Sequence, residues 1–178
     1  MDLNYSEIWN IIKKIIKSNN NKYLIKHHID SYNYFLDYQI QSIIKELNPL
    51  VIIKKNKKDE NLYHEYNITL SNPRYGTPLY NDKDGRKNIL YPHDARNKQL
   101  TYSVPLYIDI LTKSKYVEND NIVEFNKTVE EHILFGNIPL MIKSKYCLLT
   151  EDNYRDTKNE CEYDLGSYFI INGNDKIL

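Results

Sequence analysis

Residues 100–110 read Leu100-Thr101-Tyr102-Ser103-Val104-Pro105-Leu106-Tyr107-Ile108-Asp109-Ile110. Leu100, Tyr102, Val104, Leu106, Ile108 and Ile110 alternate with mostly polar neighbours. Successive side chains of a strand point to opposite faces, so this spacing predicts a strand with one buried and one wet face. Pro105 has no N–H to give to a ladder, which predicts a sheet edge or a bulge at that point. Period two recurs on both sides. Leu50–Lys54 and Leu62–Leu70 are candidate strands, and 117–142 reads as further strands around a Glu118–Asn121 turn. Tyr168–Ile171 and Asp175–Leu178 flank Asn172-Gly173, a pair suited to the two positive-φ positions of a type I′ hairpin turn.

The first quarter has the helical period instead. Asn4 with Glu7 resembles a capping box, and Ile8, Ile12 and Ile15 follow at helical spacing with Trp9 and Ile16 beside them. A helix over 5–18 is predicted, broken by Asn19-Asn20-Asn21. Ile25, Ile29, Tyr32, Leu36, Ile40, Ile43 and Leu47 share one face of a second helix over 23–47, which Asn48-Pro49 ends. Two antiparallel helices joined by a short turn are expected. Asn72-Pro73 and Tyr75-Gly76-Thr77-Pro78 read as breakers, and Asn81–Gly85 as a loop. Pro92 suits the first position of a short helix through Arg96. The fold class is α+β: an N-terminal helical hairpin followed by a mainly antiparallel β-sheet.

The 178 residues suffice for a single domain over 1–178, and five glycines leave little room for flexible linkers. Tyr is used 17 times, whereas Ala95 is the only alanine, a bias typical of an AT-rich genome. Net charge is zero, so no overall basic field draws nucleic acid to the chain. Charge is nonetheless uneven. Lys54, Lys55, Lys57 and Lys58 form a basic cluster, either a solvated loop or a phosphate-contacting one. Glu151–Asp164 is acidic. The first twenty residues carry charge throughout and lack a small-residue cleavage site, so no signal peptide is expected, and the longest apolar runs are far too short to cross a bilayer. No membrane partner is expected.

No catalytic or metal constellation emerges. Cys147 and Cys161 lack histidines at zinc-ligand spacing and read as two reduced structural thiols. Asp82 and Asp84 have a spacing found in metal loops, but Asp82-Lys83-Asp84-Gly85 also serves an ordinary turn. His27 and His28 lie about 100° apart on a helix and cannot both face one ion. Arg74, Arg86 and Arg96 are suited to phosphate or carboxylate. Lys143 and Lys145 follow an apolar Ile138–Ile142 strand, where alternation puts both on one face.

Four blocks carry a resemblance. They are Leu24–Asn33 with its Asp30-Ser31-Tyr32-Asn33; Tyr91-Pro92-His93-Asp94-Ala95-Arg96 followed by Leu100-Thr101-Tyr102-Ser103; Gly136–Leu148; and Cys161–Leu178. In this order and spacing they resemble the second-largest, β-type subunit of multisubunit DNA-directed RNA polymerases, in its eukaryotic, archaeal and large-DNA-virus version. Two departures stand out: Ser167 follows Gly166 where the family usually has a second Gly, and Asp175 replaces a Glu. Ser167 is tolerated if its φ is negative.

The resemblance implies the N-terminal part of the protrusion, truncated at its C-terminus and non-catalytic, forming a wall of the DNA cleft. It places Lys176, Lys143, Lys145 and Arg96 near nucleic acid, although an ion pair is the default role of Arg96. It implies no cofactor in this chain, with Mg²⁺ and Zn²⁺ belonging to the complete polymerase. Partners would be the other polymerase subunits, the remainder of the second-largest subunit, DNA and the RNA–DNA hybrid, and initiation factors. Location would be the nucleus, or host cytoplasm or virion for a virus. A stand-alone interaction module, half of a split subunit and a functionless gene fragment are the alternative readings.

Overall fold

The computed structural model describes residues 5–18, 23–55, 62–82, 84–118, 121–150, 160–161 and 163–177. The element order is α1 (Tyr5–Ser18), α2 (Tyr23–Tyr34), a π-helical turn (Phe35–Gln39), α3 (Ile40–Leu47), β1 (Leu50–Lys55), β2 (Leu62–Tyr75), β3 (Leu79–Asn81), β4 (Lys87–Ile89), α4 (Pro92–Asn97), β5 (Ser103–Glu118), β6 (Asn121–Pro139), β7 (Phe169–Ile171) and β8 (Asn174–Lys176). Helices followed by antiparallel sheet give the expected α+β class. Two compact units result: Met1–Phe35, Pro78–Ser103 and Pro139–Leu178 in one, Leu36–Thr77 and Val104–Ile138 in the other.

In the second unit a four-stranded sheet has the order β1-β2-β5-β6. Leu50 pairs with Ile68 and Lys55 with Tyr63 across β1 and β2. Leu62 pairs with Glu118 and Tyr75 with Leu106 across β2 and β5. Val104, Leu106 and Ile108 are buried on one face, as alternation predicts, together with Leu36, Ile40, Ile44 and Leu70. Each such side chain contributes about 1.5–3 kcal/mol by leaving water. Asn48 starts β1 from its side chain: its Oδ1 accepts the Leu70 N–H at 2.8 Å and its Nδ2 donates to the Leu70 carbonyl at 2.6 Å.

Several expectations need correction. β5 is not at an edge, since β2 and β6 flank it. Pro105 is tolerated because it lies one residue beyond the last Cα pair with β2, where its carbonyl still accepts the Gly76 N–H. Asn72-Pro73 does not end β2. The register steps from Ser71↔Asp109 to Arg74↔Tyr107, three residues against two, so Asn72-Pro73 forms a bulge with Asn72 at φ 51°. The bulge spares Pro73 from donating to the ladder.

The predicted second helix is helical throughout but changes phase. A π turn holds one extra residue, so the buried positions become Leu36, Ile40 and Ile44. Ile43 and Leu47, expected on that face, are exposed. Ile8, Trp9 and Ile12 of α1 are also exposed, so the apolar stripe that predicted this helix is not buried along its described length. Asn4, the tip of the Glu118–Asn121 turn, and Lys57 and Lys58 lie outside the described residues. Lys54 and Lys55 belong to β1 and not to a loop.

Asp109 is the residue that alternation places wrongly. It stands on the expected wet face of β5, yet it is 9% exposed. Its carboxylate accepts the His132 backbone N–H at 2.9 Å, the Asn72 side-chain amide at 2.9 Å, and the Arg74 guanidinium. His132 has φ 59°, and its ring stacks on Tyr107 at 4.1 Å. The His132 N–H, then Asn72 and Arg74, hold the Asp109 carboxyl below the usual carboxylate range.

A lowered folded-state pKa gives stability that is present above the unfolded value, about 4, and is lost as pH falls through the folded value. Denaturant titrations run from neutral pH into the acid range should therefore lose stability below about pH 4. Asp109→Asn should be less stable at neutral pH and show a shallower acid loss. An unchanged pH profile in this variant would contradict the clamp.

Candidate nucleic-acid interface

The first unit holds all four proposed contact residues, and its chemistry starts at α4. Tyr91 is extended before the helix and Pro92 takes the first helical position, where its missing N–H costs nothing. Ala95 is fully buried, and its carbonyl accepts the Leu100 N–H at 2.8 Å. The chain then joins the C-terminal hairpin. Tyr102 N–H donates to the Ile170 carbonyl at 3.0 Å, and Gly173 N–H to the Leu100 carbonyl at 3.0 Å. Asn172 and Gly173 have φ 49° and 77°, as the type I′ reading requires, although β8 begins at Asn174 rather than Asp175. A Cβ on Gly173 would come within 2.8 Å of Gln99 Cα, so only glycine fits.

This arrangement brings Arg96 to two carboxylates and a phenol. Its Nε donates to Asp175 Oδ1 at 3.1 Å, one Nη to Glu160 Oε2 at 3.0 Å, and the other to the Tyr168 hydroxyl at 2.6 Å. Tyr168 donates in turn to Asp164 Oδ2. Burial works against the guanidinium charge, but the bond to Asp175 and the neighbouring Tyr168 and Glu160 prevail and raise its pKa. Burial, then the bond to Asp164, raises the Tyr168 phenol as well. Arg96 thus acts as a fork between α4, the Glu160 segment, Tyr168 and β8, in keeping with the ion-pair role.

The lysines divide in two. Lys143 does not follow a strand. β6 ends at Pro139, residues 140–150 form no strand, and Lys143 has φ 63°. The face shared by Lys143 and Lys145 is therefore lost. Lys143 Nζ donates to the Asp164 carbonyl. Lys145 is exposed, its Nζ 5.4 Å from the Tyr146 ring, while its backbone N–H donates to Asn33 Oδ1 at 3.0 Å. Lys176 is exposed at the end of β8, paired with Phe169.

The motif residues thus hold one another. Tyr32 donates to the Pro139 carbonyl and its ring meets Phe169 edge-on at 5.4 Å. Tyr102 is fully buried, and its hydroxyl accepts the Leu148 N–H at 3.1 Å beside the Cys147 thiol at 3.7 Å. Cys147 is buried and Cys161 exposed, both unbridged. Burial pushes the Cys147 thiol up. His27 and His28 are exposed on α2 with ring centroids 4.0 Å apart. Among the described residues no three His, Cys, Asp or Glu are placed to hold a metal.

Ser167 settles the departure noted in the sequence. It has φ 70°, so Ser occupies a left-handed position that Gly would take without strain. Its N–H donates to the Ile142 carbonyl at 3.0 Å, and a Cβ on neighbouring Gly166 would meet that oxygen at 2.7 Å. Thermal melts should find Ser167→Gly more stable by about 0.5–1 kcal/mol, the left-handed penalty less the entropy of Gly. A destabilised variant would count against this geometry. Arg96→Ala strands the Glu160 carboxylate, whose side chain is 11% exposed, and should cost roughly 2–4 kcal/mol in urea titrations. Arg96→Lys keeps the charge but not the fork and should recover only part of that. A loss below about 1 kcal/mol for Arg96→Ala would remove Arg96 from the centre of this unit.

A family model described as RNA polymerase beta subunit matches residues 23–178. The RNA polymerase II subunit RPB2 of Eremothecium gossypii is 31% identical over 96% of this chain and 15% of its own length. The RNA polymerase III subunit RPC2 of Saccharomyces cerevisiae is 33% identical over 96% of the chain and 13% of its own length. The RNA polymerase subunit 2 of Acanthamoeba polyphaga mimivirus is 32% identical over 87% of the chain and 13% of its own length. The chain therefore spans about one seventh of these relatives, and with its motif blocks folded onto one another it belongs to the RNA polymerase beta subunit family.

Proposed function

We propose that this chain forms the N-terminal, protrusion part of a second-largest polymerase subunit and works as a non-catalytic wall of the DNA cleft. The observation that carries the reading is the convergence of the motif residues Asn33, Arg96, Tyr102, Asp164 and Asn172 on one unit that leaves Lys145 and Lys176 exposed. Arg96 and Lys143 shape that surface from within, and Lys145 and Lys176 meet phosphate. Such contacts position nucleic acid without reading its sequence. Other polymerase subunits, initiation factors and the RNA–DNA hybrid are the partners of the assembled enzyme, which supplies Mg²⁺ and Zn²⁺ elsewhere. Its place is the nucleus for a cellular subunit, or host cytoplasm or virion for a viral one. No described helix is long and apolar enough to cross a membrane.

The remainder of the subunit completes this domain. An apolar groove of about 320 Å³ in the second unit, lined by Ile43, Leu47, Leu106, Phe135 and Ile138, is suited to a returning segment of the same subunit. Covering Ile43, Leu47 and Phe135 would remove side chains that are 47%, 48% and 61% exposed from water.

The purified chain should bind a short DNA duplex weakly, with no sequence preference, and should incorporate no nucleotide into RNA by itself. Fluorescence anisotropy between about 50 and 200 mM salt should show affinity falling steeply through counterion release. Lys145→Gln with Lys176→Gln should lower the log–log salt slope by about 1.8. A slope that stays at the parent value would take these two lysines out of the interface.

A further inference from the structure

β1 is an edge strand of the four-stranded sheet. Among the described residues it pairs with β2 alone, so its outer side presents unpaired N–H and C=O groups. All six residues are exposed, including Leu50 at 38%, Val51 at 52%, Ile52 at 53% and Ile53 at 56%. The register puts Leu50 and Ile52 on one face and Val51 and Ile53 on the other, so both faces are apolar. No proline or inward charge interrupts this run. The strand ends in Lys54 and Lys55, which project to opposite faces.

We propose that β1 is the acceptor edge for an extended, acidic-then-apolar segment of another polypeptide, which adds to the sheet as an antiparallel strand. Main-chain bonds along the edge would supply affinity, and the side chains would supply selectivity. An antiparallel strand enters beside Lys55, so its first two residues carry carboxylates opposite Lys55 and Lys54. Its next residues are apolar, opposite Ile53, Ile52 and Val51. A second copy of this chain fits less well. Symmetric pairing about Ile52 and Ile53 sets Lys54 against Val51 and Lys55 against Leu50, with no carboxylate for either ammonium. The polymerase reading enters only as the source of the partner, another subunit or factor of the assembly; the edge itself does not depend on it.

The test uses the whole chain and a fluorescent synthetic peptide of two glutamates followed by three valines and a polar tail. Saturable binding is expected. Two further peptides, one with a central proline and one with lysines in place of the glutamates, should each bind at least about tenfold more weakly, a loss of about 1.4 kcal/mol. Lys54→Glu with Lys55→Glu should reverse the preference between the glutamate and lysine peptides. No saturable binding, or equal binding of the proline peptide, overturns strand addition. Equal binding of the lysine peptide overturns the acidic selectivity. Loss of DNA binding in the lysine variant with unchanged peptide preference would assign Lys54 and Lys55 to nucleic acid instead. Because the control peptides act on the unaltered chain, a misfolded variant leaves the test intact. Peptide binding by a chain that fails to bind DNA would sink the cleft-wall reading and leave this one standing.

Discussion

The first unit depends on one guanidinium. Glu160 and Asp175 are far from Arg96 in sequence, and neither carboxylate could be brought beside the other without a cation between them. Arg96 supplies that cation on a rigid planar fork, and its third bond fixes the Tyr168 hydroxyl, which reaches Asp164. A lysine in this place would offer a point charge without the geometry. The short helix that presents Arg96 is itself set by Pro92 and by the fully buried Ala95. A motif that reads as six residues of sequence is therefore a packing requirement at Ala95 and a charge requirement at Arg96.

The second unit uses the opposite arrangement, one carboxylate among donors. Asp109 sits on an interior strand, and its oxygens take up donors from β2 and from β6. Both donors come from residues in the left-handed region, Asn72 at φ 51° and His132 at φ 59°. Asn tolerates that region and His less readily. A buried carboxylate that accepts from each supplies a reason for the backbone to stay there. A polar group at an inner position thus holds two left-handed residues within long strands, and the bulge lets β2 continue past a proline.

The sequence shows the elements and hides their phase. Periodicity finds α2 and α3 as one helical stretch, but a single extra residue in the π turn moves burial from Ile43 to Ile44, and nothing in the hydrophobic pattern distinguishes two adjacent isoleucines. Alternation finds β5, but Pro105 misleads because a strand end inside a sheet excuses a missing donor as well as an edge does. Alternation places Asp109 on the wet face because a polar residue at an outward position carries no signal of the bulge beside it. The Asn172-Gly173 turn was legible because its chemistry is local. Lys143 was not, because its left-handed backbone ends the alternation on which its placement rested. The partner of Arg96 is hidden for another reason: Glu160 lies in an acidic run whose members look alike until the fold selects one.

Charge placement separates residues that shape the fold from those left to meet a partner. Net charge is zero, yet it is not cancelled uniformly. Arg74 and Arg96 are engaged with acids, and Lys143 with a backbone carbonyl. A cation paired with a carboxylate is already neutralised by it, one bonded to a carbonyl is held in place, and phosphate would have to displace either neighbour. Lys145, Lys176, Lys54 and Lys55 are exposed. Lys145 lies in a loop between the buried Ser144 and Cys147, and Lys176 ends β8. Lys54 and Lys55 instead terminate a run of exposed aliphatic side chains. An ammonium beside water and backbone suits phosphate, whose hydration it can replace. An ammonium at the end of an apolar edge suits a carboxylate carried on a chain that covers the edge as well, because only such a partner removes both the unpaired backbone and the aliphatic surface from water.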